Sequence, residues 1–270
     1  MSASITPDVA LGNVAAPIFA NAAQAPDRVA ARVRTDGQWQ PVTAGELADR
    51  VRAVARGLLA AGLGDGARLA IMSRTTFDWS VLDLAALSIG AVVVPIYETS
   101  SAAQVEWILS DSGAMALVVE TAAHAETAAG VLANTAVTRM WQLDAGGMDE
   151  ITALGVDTAE ADAVAAGEAV AASALATIIY TSGTTGRPKG VRITHANLLS
   201  EIAFVRDEMG GLFNPDNSTL LFLPLAHVFG RGIEVGCIEN KVVLGHTSDI
   251  PNLVAHLDKY KPHYVLSVPR

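Results

Sequence analysis

Alternating and helically spaced hydrophobic residues take turns along this chain. RVAARVRT and QWQPV alternate apolar and polar positions about Asp36-Gly37, a strong two-residue turn signal, and predict a short hairpin. Thr43 is placed to cap a helix, and Glu46 three residues on completes a capping-box pattern. Leu47, Val51, Val54 and Leu58 then form one apolar stripe before Gly62 ends it. ARLAIMS reads as a buried strand, TTFDWSVLDLAALSIG as a helix stopped by Gly90, and AVVVPIY as a strand. Ser101 and Gln104 repeat the capping box ahead of VEWILSDSG, ALVVE is a strand again, and HAETAAGVLANT with TRMWQLD supplies one more helix and strand.

The second half repeats the alternation. ATIIYT is β-branched and reads as a strand, and GVRIT alternates, with Val191 and Ile193 on one face and Arg192 on the other. Thr194 offers a hydroxyl cap to HANLLSEIAFV. TLLFLP, VVLGH and YVLSVP read as strands, separated by AHVFGRGIEVGCIEN and IPNLVAHLDKYK as helices. Strands alternating with helices predict an α/β fold of mostly parallel sheets covered by helices. The expected organisation is a first α/β subdomain over residues 1–144, an acidic Ala/Gly-rich linker with one short helix over 145–175, and the start of a second α/β subdomain over 176–270. The last strand has no covering helix after it, so the second unit is expected to be incomplete and the chain the N-terminal portion of a larger protein.

Composition narrows the function. At 51% hydrophobic, 270 residues can bury a large core, and a net charge of −10 argues against a general nucleic-acid binder, which needs clustered cations. The single Cys237 permits no intrachain disulfide and reads as a buried small apolar residue. MSASITPDVALGN has no basic stretch before an apolar one, which points to a cytoplasmic setting, with peripheral association at a membrane left open. The most apolar window contains Asp83 and Pro95 and divides at Gly90, so no membrane span is predicted. Trp79, Trp107 and Trp141 read as core residues.

The chemistry concentrates in YTSGTTGRPKG, residues 180–190. Glycines let a backbone approach a ligand, hydroxyls and free N–H groups donate hydrogen bonds, and Arg187 and Lys189 add positive charge, which together describe a polyphosphate cradle. It is not a Walker A loop: Arg187 and Pro188 separate Gly186 from Lys189, and a strand rather than a helix follows. The loop is therefore expected to join two strands.

IIYTSGTTGRPKGVRITHANL resembles the signature of the AMP-forming adenylating enzymes, the superfamily of acyl-CoA synthetases, firefly-type luciferases and peptide-synthetase adenylation domains. LSIGAVVVPIYETSS and FLPLAHVFGR resemble the family's flanking motifs, and PIYETSS, VEWILSDSGA and LPLAHVFGR together are similar to bacterial long-chain fatty acid CoA ligases. The resemblance implies that a fatty carboxylate attacks the α-phosphate of Mg-ATP, and that coenzyme A then displaces AMP from the acyl adenylate. It implies that the segment Ser182, Gly183, Thr184, Thr185 and Gly186 cradles the phosphates together with Thr181, and that Lys189 neutralises their charge. Thr184 or Thr185 is the expected contact to Mg²⁺, and His227, Phe229 and Gly230 are expected near the acyl and adenylate pocket. Arg231 reads equally as a substrate residue or a structural ion-pair residue. A non-catalytic nucleotide- or acyl-binding module, or an adenylating enzyme for another carboxylic acid, stays open at this point, as does the oligomeric state.

Overall fold

The computed structural model describes residues 12–181, 187–208 and 211–268. Helix α1 (Ala16–Gln24) precedes the hairpin β1 (Val29–Thr35) and β2 (Gln38–Thr43), followed by α2 (Ala44–Ala60), β3 (Arg68–Met72), α3 (Phe77–Ser88) and β4 (Val92–Ile96). The chain continues through α4 (Ala102–Ser112), β5 (Ala116–Val119), α5 (Ala122–Ala129), β6 (Arg139–Gln142), α6 (Gly147–Leu154) and α7 (Glu160–Glu168). It ends with β7 (Leu175–Thr181), β8 (Lys189–Thr194), α8 (His195–Glu208), β9 (Ser218–Leu221), α9 (Val228–Glu239), β10 (Val243–His246) and α10 (Leu253–Tyr260).

Local signals in the sequence set these elements. Asp36 and Gly37 both take positive φ, 51° and 78°, as a two-residue hairpin turn requires. The capping boxes at Thr43–Glu46 and Ser101–Gln104 are both formed, and Leu47, Val51, Val54 and Leu58 are all buried. Gly90 after α3 and Gly113 after α4 stop their helices with left-handed backbone, φ 78° and 64°. In β3, Leu69 and Ile71 enter one core while Ala70 and Met72 enter another, so the strand is apolar throughout because both faces are covered.

The strands form a six-stranded sheet of order β6-β5-β3-β4-β7-β8 and a four-stranded sheet of order β2-β1-β10-β9. All pairs are parallel except the two hairpins, β1–β2 and β7–β8. The sheets do not follow the boundary expected near residue 145. Strands β7 and β8 join the sheet begun by β3, while β1 pairs with β10, bringing Ala31 beside Leu244. Nor is 145–175 a linker with one short helix, because it carries α6 and α7 in contact with α2. Its small residues serve close packing: a Cβ on Gly155 would lie 2.4 Å from the Gly57 backbone nitrogen of α2, and one on Gly167 would lie 2.6 Å from the Ser88 carbonyl oxygen. The expected strand YVLSVP is also absent among the described residues. Only Tyr264 bridges, to Thr219 of β9, and Val265 and Val268 are exposed where no further strand pairs with them. No helix among the described residues is long and apolar enough to cross a membrane.

One buried ion pair fixes how α9 sits on the six-stranded sheet. Arg231 of α9 and Asp83 of α3 are both fully buried and hydrogen-bonded to each other. Arg231 also donates to the Thr177 hydroxyl of β7 at 2.6 Å, Thr177 donates to the Val93 carbonyl of β4 at 2.7 Å, and the guanidinium lies 5.5 Å from the Trp79 ring. Arg231 is therefore the ion-pair residue of the two readings left open. Burial raises the Asp83 carboxyl above the ordinary carboxylate range, against the pull of Arg231. Removing one partner of such a pair strands a charge, whereas removing both does not. Arg231→Met is expected to cost about 3–5 kcal/mol in denaturant unfolding. Adding Asp83→Leu should recover most of that loss, and a double variant no more stable than the single would show that the pair is not the source.

Candidate active site

The loop singled out in the sequence sits at the tip of the β7–β8 hairpin. Tyr180 pairs with Gly190 and Thr181 with Lys189, so Thr181 and Lys189 face each other at the mouth of the loop, both exposed to solvent. The expectation that this loop joins two strands, unlike a Walker A loop, matches that pairing. Ser182, Gly183, Thr184, Thr185 and Gly186 lie outside the described residues.

The stems of the loop lean on α4. Trp107 Nε1 donates to the Pro188 carbonyl at 2.8 Å, and the Arg187 guanidinium stands 4.7 Å from the Trp107 ring centroid. On the other stem the Tyr180 hydroxyl donates to Asp111 Oδ2 at 2.6 Å. Burial first, and then the Asp111 carboxylate, raise the Tyr180 phenol above its ordinary pKa, so it stays a donor. Trp79 and Trp141 are core residues as expected, but Trp107 is only half-buried and holds the loop's return stem.

Past Lys189, β8 becomes the wall of an apolar cavity of about 610 Å³. Val191 and Ile193 line it from β8, Leu198 and Ile202 from α8, and Phe229 and Ile233 from α9. The α8 residues were not singled out by motif; the apolar spacing of LLSEIAFV behind the Thr194 cap was the available signal. That cap is formed, with the Asn197 N–H donating to Thr194 Oγ1 at 3.1 Å.

His227, Phe229 and Gly230 occupy three different environments. His227 is the N-cap of α9, and its Nδ1 accepts from the Phe229 N–H at 3.2 Å. An imidazole accepting at Nδ1 carries its neutral-ring proton on Nε2, so the exposed ring presents a donor to solvent. Phe229 lines the cavity while remaining 39% exposed, and His227 is not in the cavity wall. The turn that delivers them is held by Thr75, whose hydroxyl donates to the Leu223 carbonyl at 2.8 Å and accepts from the Leu225 N–H at 3.1 Å. Cys237 is buried, and burial pushes its thiol up to about 12, which removes it as a nucleophile.

The strands that flank this hydroxyl- and glycine-rich segment thus form an antiparallel pair at one edge of the six-stranded sheet. The chain belongs to the AMP-binding enzyme family, whose profile matches residues 18–270. It is 43% identical over 262 residues to the long-chain-fatty-acid–CoA ligase FadD15 of Mycobacterium tuberculosis, an alignment covering 96% of this chain and 44% of that protein. The chain thus spans less than half the length of this relative. Among solved structures, its fold matches a long-chain-fatty-acid-CoA ligase (FadD1) from Archaeoglobus fulgidus with a TM-score of 0.80, at 23% identity, over 96% of this chain and 52% of that one. The N-terminal domain of FACL13 from Mycobacterium tuberculosis matches with a TM-score of 0.77, at 22% identity, over 94% and 62% of the two chains.

Gly230 makes the turn and the helix start compatible. A Cβ there would lie 2.4 Å from the Pro224 carbonyl oxygen and 3.0 Å from its carbon, both backbone atoms, whereas a Cβ on Gly232 would meet nothing within 4 Å. Gly230→Ala is expected to destabilise the protein by about 2 kcal/mol or more. Gly232→Ala should stabilise it by about 0.5–1 kcal/mol, the usual helix preference for alanine. Denaturant unfolding of the two variants checks both signs.

Proposed function

We propose that this chain holds the leaving phosphates and the acyl chain of an ATP-dependent long-chain fatty acid–CoA ligase. The observation that carries the reading is the strand shared by loop and cavity. β8 leaves the loop with Lys189 at its mouth and presents Val191 and Ile193 to an apolar cavity two and four residues later. Alternate residues of a strand share a face, so one short segment spans from a cationic end to an apolar one, as an amphipathic carboxylic acid and a polyphosphate side by side require. A volume of about 610 Å³ is in the range of small-molecule sites, and the name of the mycobacterial relative supports a long acyl chain as the occupant.

In the first step a carboxylate oxygen of the fatty acid bonds to the α-phosphorus of ATP, and the bond to pyrophosphate breaks. In the second the coenzyme A thiol bonds to the acyl carbon and AMP leaves. Thr181, the hydroxyls and N–H groups of Ser182–Gly186, and Lys189 are assigned to the β and γ phosphates, where charge accumulates as pyrophosphate departs. Thr184 is the proposed protein contact that would help hold Mg²⁺ on the nucleotide phosphates, where the ion would offset their charge. His227 offers its Nε2–H towards the reacting carboxylate and adenylate, and Phe229 shapes the acyl path, with Gly230 allowing the helix to begin there.

The test is fatty-acid-dependent exchange of labelled pyrophosphate into ATP by the gene product that carries this chain. No exchange with any carboxylic acid would sink the assignment. Lys189→Ala should slow adenylate formation by about 100-fold while leaving thioester formation from preformed acyl adenylate within a fewfold, because its phosphates have left before the second step. Equal losses in both half-reactions would assign Lys189 another role.

Phe229 makes a separate prediction. Each buried methylene is worth about 0.8 kcal/mol, so Phe229→Ala should shift the chain-length optimum of kcat/KM, whereas His227→Ala should lower it equally for short and long acids. A uniform loss with an earlier melting transition in Phe229→Ala would make Phe229 a packing residue only.

A further inference from the structure

We propose that Trp107 and Asp111 are positioning residues for polyphosphate binding: α4 grips both stems of the glycine loop and holds its mouth open at a fixed width. This rests on reading the loop as a phosphate site. Trp107 and Asp111 are four apart on α4 and so share one face, and the capping box at Ser101–Gln104 fixes the phase of that helix. Trp107 takes the return stem, through its N–H on the Pro188 carbonyl and its ring beneath Arg187. Asp111 takes the outgoing stem through Tyr180. The two grips are joined across the hairpin, because a Cβ on Gly190 would lie 3.0 Å from the Tyr180 ring, so Tyr180 packs directly on the residue it pairs with.

The physical need for such a grip is entropic. Among the described residues β8 is an edge strand with β7 as its one sheet neighbour, and fixing a backbone costs about 1–2 kcal/mol per residue. Stems already fixed at both ends spare the ligand part of that cost. The same contact positions Arg187. The Trp107 ring holds the guanidinium carbon 4.7 Å from its centroid, which keeps this cation beside the loop mouth.

The experiment uses the gene product carrying this chain and pairs each disruptive variant with a conservative one. Asp111→Leu removes the acceptor for Tyr180, and Asp111→Asn keeps one. Trp107→Leu removes ring and N–H, and Trp107→Phe keeps a ring under Arg187. Titration with inorganic tripolyphosphate should show about tenfold weaker binding for the two leucine variants, an intermediate loss for Trp107→Phe, and wild-type affinity for Asp111→Asn. Without ligand, trypsin should cut Lys189–Gly190 about tenfold faster in the leucine variants at an unchanged global unfolding midpoint, since that bond sits in the hairpin stem and is cut only when the stem opens locally. Wild-type cleavage rates in both leucine variants overturn the grip, whatever the loop binds. Unchanged tripolyphosphate affinity in them overturns its positioning role and leaves the phosphate reading standing. Equal tripolyphosphate binding by wild type and Lys189→Ala overturns the phosphate reading itself.

Discussion

A fully buried guanidinium decides how this protein is put together. Arg231 enters the interior from α9 and meets Asp83 of α3 and Thr177 of β7, so three elements far apart in sequence must arrive in one arrangement or leave a charge stranded. A purely apolar contact would tolerate sliding, because hydrophobic burial has no preferred direction. The hydrogen bonds of Arg231 do have one. Four residues before it, the same helix begins at His227, so the geometry that satisfies the buried charge also sets where the cap and Phe229 project.

The site follows from that placement together with the hairpin. α9 supplies one wall of the cavity, α8 another, and β8 a third that runs up to the loop. The loop and the cavity are therefore not independent features brought together by chance packing. The mouth of the loop and one wall of the cavity are successive stretches of β8, and the antiparallel pairing at the sheet edge lets the chain carry both. A parallel connection at this point would need a crossover helix and would separate them.

What was legible in the sequence divides by the range of the interaction that determines it. Caps, turns and stripes are local, and Thr43, Ser101, Gly90 and the Asp36-Gly37 turn all act as their residue types dictate. The strand character on both sides of the loop was legible for the same reason. The segment 145–175 was not, because small residues look like linker until their neighbours are known, and here they sit where helix backbones nearly touch. The role of Trp107 was hidden in the same way: its partner, Pro188, lies 81 residues away, and nothing local marks an indole as a hydrogen-bond donor to a distant stem. Arg231 could be either of two things until Asp83 was found beside it. The family signature carries the chemistry proposed for the loop, whose five central residues lie outside the described structure, so the candidate site is described through its stems and the cavity beside them.

The pairing of β1 with β10 has a consequence for how the chain is made. Residues 29–43 leave the ribosome early as a two-stranded ribbon, and such a ribbon is marginal in water by itself. Its parallel neighbour is Val243–His246, roughly two hundred residues later, so the four-stranded sheet cannot close until nearly all of this sequence has been synthesised. The described strands of the six-stranded sheet, β3 to β8, lie within residues 68–194 and so precede β10. Within this sequence the β1–β2 ribbon therefore waits for a partner strand made after every described strand of the six-stranded sheet.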